Sequence, residues 1–130
     1  MIILCLRTDK PEAEIGLYDS DKQIAHEAWQ AHRQLAGTLH LKIKKMLDTN
    51  HLDWQQLQGV IVYQGPGSFT GLRIGISTAN ALAAGLKLPI VSRGGPDWIS
   101  RGSQAIMNGQ TDTRVIPDYG APVHTTAPRK

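Results

Sequence analysis

One cysteine, no long apolar run and no dense basic stripe set the outer limits of this sequence. Cys5 stands alone, so no disulfide forms within the chain, and a cytoplasmic setting is the simplest expectation. No apolar run approaches the roughly 20 residues that cross a membrane as a helix. Residues 1–6 are apolar but short, and Asp9, Glu12 and Glu14 follow soon after, which reads as a first strand and not as a leader. The net charge of +3 is mild. A domain that grips nucleic acid by itself carries a denser basic stripe. The cluster of Lys42, Lys44 and Lys45 reads as a solvated helix face, and Arg129 and Lys130 as a charged tail.

Several chemistries are missing as well. None of the five histidines (His26, His32, His40, His51 and His124) has a partner at His-x-x-x-His spacing, and Cys5 has no second thiol nearby, so no metal site is expected. Ser68 sits in Gly-Pro-Gly-Ser-Phe and not in the Gly-x-Ser-x-Gly of a nucleophile elbow, so the expected role of Ser68 or Thr70 is a helix cap. There is neither the Lys-Ser/Thr of a P-loop nor the GxGxxG of a dinucleotide fold, and no internal repeat.

What is present is a short α/β pattern. The hydrophobic share of 41% is ordinary for a globular chain, and 130 residues give room for one core. Residues 2–6 form a continuous apolar run, as in a strand buried on both faces. Residues 13–18 and 23–29 alternate, and the turns at Asp9-Lys10-Pro11 and Asp19-Ser20-Asp21 join three strands into an antiparallel meander. A helix is expected over 35–47, with Leu35, Leu39, Ile43, Met46 and Leu47 on one face. Asp53 is expected to cap a short turn before a fourth strand over 60–63, parallel to the first. A long small-residue helix over 68–86 and a fifth strand from residue 88 complete the order β-β-β-α-β-α-β. One weakly helical stretch follows over 97–106. Residues 107–130 are rich in proline and glycine and read as an extended tail, in which Ile116 and Tyr119 are the plausible anchors.

Following the fourth strand and opening the long helix stands Gly65-Pro66-Gly67-Ser68-Phe69-Thr70-Gly71-Leu72-Arg73-Ile74-Gly75. This ungapped stretch resembles the signature of the TsaB family, which serves the threonylcarbamoyl modification of an adenosine in tRNA. The resemblance covers residues 1–100, the first lobe only. It implies a ribonuclease-H-like lobe, the superfold that actin, Hsp70 chaperones and sugar kinases use in duplicate. It also implies a pseudoenzyme without a cofactor, which pairs through its two helices with a TsaD-type transferase or with itself, as homodimer or heterodimer. A TsaE-type ATPase joins such assemblies, and tRNA contact is indirect or weak. In that superfold an acidic residue ends the first strand and organises metal and phosphate, and TsaB relatives read Asp-Thr-Ser there. This chain reads Arg7-Thr8-Asp9, and a guanidinium cannot hold Mg²⁺. TsaD proteins carry paired histidines on the first helix, where this chain offers only His40.

Wound at ~100° per residue, the long helix shows an apolar arc of roughly 220°, about twice what packing on one sheet needs. Gly71 and Gly75 line its middle and permit close approach to the sheet. Phe69, Leu72 and Ile76 lie toward its edge, with Leu39 and Ile43 of the first helix nearby. Arg73 and Asn80 fall in the narrow polar sector. These seven side chains are the expected partner surface. The other reading is cover from within the chain, by the tail or by Trp98. The alternative function is a nucleotide-dependent phosphotransferase half-site completed by another chain.

Overall fold

The computed structural model describes residues 1–20, 22–31, 34–67 and 69–112, with the backbone alone at Phe69. Five strands form one sheet in the order β3-β2-β1-β4-β5. They are β1 (Ile2–Arg7), β2 (Glu12–Asp19), β3 (Lys22–Gln30), β4 (Gly59–Tyr63) and β5 (Ile90–Arg93). β1 pairs antiparallel with β2 and parallel with β4, with Leu4 opposite Leu17 on one side and Val60 on the other. Helix α1 (Leu35–Thr49) carries the chain from the meander to β4, and α2 (Phe69–Leu86) carries it from β4 to the parallel β5. The expected β-β-β-α-β-α-β order of a ribonuclease-H-like lobe is the one observed. α3 (Trp98–Met107) follows it.

The continuous apolar runs of β1 and β4 mark strands covered on both faces. On one face Leu4, Leu6, Val60 and Val62 pack with Leu39, Ile43 and Leu47 of α1 and with Ile76, Ala79 and Ala83 of α2. On the other, Ile3, Cys5, Ile61 and Val91 pack with Trp98, Ala105 and Ile106 of α3. Between α1 and β4 a 3₁₀ turn (Trp54–Gln56) starts at Asp53, whose backbone N–H donates to the Gln56 side chain at 3.0 Å.

The expected boundary at residue 106 falls inside α3, and the chain stays attached beyond it. Thr111 Oγ1 accepts from Ile90 N–H at 3.0 Å, and Asp112 N–H donates to Ile90 C=O at 2.7 Å. The Asp112 carboxylate accepts from Ser92 N–H at 2.9 Å, and Arg93 donates to the Ser92 carbonyl at 2.7 Å. These four bonds satisfy the outward-facing backbone groups of Ile90 and Ser92 on the edge strand β5. The tail anchors Ile116 and Tyr119 lie outside the described residues.

Candidate functional site

Two places bring the sequence signature into contact with the rest of the lobe. The first is the carboxyl end of β1 and β4, where α/β sheets present their ligands. Arg7 Nε donates to Asp9 Oδ1 at 2.7 Å and Nη2 to Oδ2 at 3.2 Å. The guanidinium also lies 4.0 Å from the centre of the Tyr63 ring, and Tyr63 meets Trp98 edge-on. The bond to Asp9 raises the Arg7 pKa further above its ordinary high value, against a smaller opposing effect of burial, so the residue is a permanent cation. Asp9 and Thr8 are buried, and among the described residues Thr8 Oγ1 has no hydrogen-bond partner.

The signature closes onto this end of β1. A Cβ at Gly67 would overlap Asp9, and a Cβ at Gly75 would overlap Thr8 Oγ1. Glycine at these two positions lets the loop and the second turn of α2 touch the strand end directly. Of the other signature residues, Gly65 is buried, Gly71 half-buried, and Pro66 and Thr70 exposed. Ser68 and the Phe69 side chain lie outside the described residues.

The second place is the outer surface of α1 and α2, which pack against each other. Leu39, Ile43 and Leu72 are fully buried and Ile76 is 4% exposed, so these four do not form an exposed partner surface. Leu39, Ile43 and Ile76 fill the seam between the two helices and the sheet. Leu72 joins the opposite cluster, the one that holds Trp98. Of the arc of α2, Leu72, Ile76, Ala79 and Ala83 are thus covered within the chain. Arg73 remains exposed and Asn80 half-buried.

What faces outward is smaller and more polar. Ala36, Thr70, Arg73, Ile74, Ser77 and Thr78 line an open cavity of about 330 Å³ between the helices. A second hollow of about 210 Å³, lined by Lys10, Pro11, Ala31, Leu35, Thr70, Gly71 and Ile74, shares Thr70 and Ile74 with it. The two form one groove along α2. Sequence reasoning missed Ala36, Ser77 and Thr78 here. The available signal was Thr70, Ser77 and Thr78 set three and four residues from Ile74, on one side of the helix.

Two of the three lysines clustered on α1 form ion pairs. Lys42 pairs with Glu27 at 2.6 Å, and Lys44 with Asp48 at 2.9 Å. His40 stacks on Trp54 with ring centres 5.0 Å apart. Among the described residues no group of three or more His, Cys, Asp or Glu is placed to hold a metal ion, and no helix is long and apolar enough to cross a membrane.

Known proteins match this arrangement. The family model described as TsaD: tRNA N6-adenosine threonylcarbamoyltransferase matches residues 26–92. The tRNA threonylcarbamoyladenosine biosynthesis protein TsaB of Bacillus subtilis is 31% identical over 90 residues, which are 69% of this chain and 39% of the relative. YeaZ from Pseudomonas aeruginosa superimposes with a TM-score of 0.67 at 24% identity, over 72% of this chain and 43% of its own. Thermus thermophilus RuvC shares the fold with a TM-score of 0.52 at 11% identity, over 72% of this chain and 64% of its own. The chain spans about two fifths of the length of the curated TsaB relatives it matches. It belongs to the family that the TsaD model describes, as a TsaB-like member corresponding to the first lobe of its relatives.

Proposed function

We propose that this chain is a non-catalytic scaffold subunit of the tRNA N6-threonylcarbamoyladenosine machinery, which docks through the outer surface of α1 and α2 onto a TsaD-type transferase or a second copy of itself. The observation that carries the reading is the groove along α2. It opens beside the signature, is lined mostly by small side chains, and admits the close approach of another helix. Supporting it, the acidic position at the end of β1 is an arginine engaged with Asp9, and α1 offers a single histidine, stacked on Trp54. Neither arrangement supplies the metal-held phosphate or the paired ligands of a transferase. Paired lysines on α1 favour an indirect role toward tRNA. Docking of a TsaE-type ATPase is part of the same proposal.

The test is co-purification with the TsaD protein of the same genome, followed by light scattering to weigh the complex. Ser77 is exposed and lines the groove, so Ser77→Arg places bulk and charge there without touching the core. A charge desolvated at an interface costs several kcal/mol, so binding should weaken by about a hundredfold or more while the melting temperature holds. Unchanged assembly would remove this face from the interface. ATP or ADP affinity of the chain by itself would instead favour the phosphotransferase half-site.

A further inference from the structure

The ribonuclease-H-like fold implies a divalent cation at the end of β1, and the residues there do not fit one. Mg²⁺ asks for several oxygen ligands in open, hydrated geometry. Both carboxylate oxygens of Asp9 are already taken by Arg7, at 2.7 and 3.2 Å, and the Asp9 side chain is 6% exposed. The backbone of Gly67 lies against Asp9, where not even a Cβ has room. A metal ion at this carboxylate would stand beside a fixed guanidinium and meet its charge at close range.

We infer that Arg7 is this lobe's own cation: its guanidinium takes the place of the fold's divalent ion and pins Asp9, on which the signature loop rests. Three features suit arginine to that task. Its planar fork engages both carboxylate oxygens, which a lysine cannot do. One face lies on the Tyr63 ring, which attracts a cation. It stays charged at every physiological pH. The negative charge of Asp9 is thereby balanced within three residues of chain, and the position of Gly67 against β1 is set by covalently attached groups and not by a ligand. The inference is independent of the docking role, because it concerns only the closed end of β1.

The test uses the full chain, with Mn²⁺ as the probe read by electron paramagnetic resonance and by the melting temperature with and without EDTA. The native protein should leave millimolar Mn²⁺ free and melt at the same temperature in either buffer. Arg7→Asp removes the internal cation and sets a second carboxylate beside Asp9. That variant should bind Mn²⁺ and gain about 4 °C or more when the ion is at roughly ten times its Kd. Arg7→Lys keeps a positive charge and should stay indifferent to Mn²⁺. If Arg7→Asp is unfolded in EDTA, recovery of the native circular dichroism on adding Mn²⁺ supports the inference, and failure to recover counts against it. Mn²⁺ binding and stabilisation of the native protein would overturn it, as would a folded Arg7→Asp that ignores the ion.

Discussion

Replacing Gly75 by alanine sets two effects of known size against each other. Alanine in place of glycine in a helix stabilises by about 0.5–1 kcal/mol, because the unfolded chain loses freedom. Against that, the added Cβ would overlap Thr8 Oγ1 and sit 3.1 Å from both Thr8 Cβ and Cγ2. Thr8 is 1% exposed, β-branched and stiff at χ1, so it has nowhere to swing. Relief must come from α2 lifting off the end of β1. Overpacking of this kind costs about 1–3 kcal/mol, so the clash outweighs the helix gain and the variant should be less stable by about 1–2 kcal/mol. Thermal unfolding followed by circular dichroism should show a fall of about 4–8 °C. Gly85 lies in the same helix with nothing within 4 Å of an added Cβ. Gly85→Ala should therefore raise the melting temperature, by about 2–4 °C. Combining Gly75→Ala with Thr8→Ala removes Oγ1, the overlapping atom, and Cγ2, leaving only Cβ at 3.1 Å, and the pair should show a favourable coupling of about 1 kcal/mol or more. The reasoning fails if Gly75→Ala stabilises as Gly85→Ala does, or if trimming Thr8 gives no rescue.

Ile76→Asp should unfold the domain and not merely dissociate it, since Ile76 is 4% exposed in the main core and an unpaired charge there costs several kcal/mol; a folded variant by near-ultraviolet circular dichroism would contradict that placement. Asp112→Ala strips the acceptor from Ser92 N–H and should cost about 1–3 kcal/mol in urea unfolding, with an increased tendency to associate through the freed strand. Burial drives the Cys5 thiol pKa upward. The folded chain then keeps its proton where the unfolded thiol, ionising near pH ~8.5, loses it, so this contribution is complete below that pH and declines above it by up to about 1.4 kcal/mol per pH unit. Cys5→Ala should flatten the alkaline fall of the urea midpoint, and native Cys5 should resist iodoacetamide until the chain unfolds.

Much of this fold is legible in the residues because its signals are local. The apolar runs of β1 and β4, the alternation in β2 and the spacing of Leu35, Leu39 and Ile43 each determine an element without knowledge of its neighbours. The reach of α2 is not local. A helical wheel shows an apolar arc but not what meets it, and Leu72 and Ile76 at its edge prove to be buried in two different clusters. The attachment of Thr111 and Asp112 to β5 also escaped pattern reading. It rests on hydrogen bonds from two polar residues, which have no hydrophobic period to betray them. At the candidate site, the substitution of Arg7 for an acid is plain in the sequence. Its engagement with Asp9 and its seat on Tyr63 need the folded register of β1 beside β4.

The two residues that close β5 give the sheet a direction. A β-sheet with two bare edges can be extended from either side, by a neighbour's strand or by misassembly. Here Thr111 and Asp112 act as a terminator: a strand arriving at β5 would have to break four bonds before making its first. Among the described residues the opposite edge strand is β3, where Lys22, Gln23, Ile24, His26, Ala28 and Gln30 are exposed. Any strand-sharing assembly at the β5 side would first have to displace residues 111 and 112 from the edge.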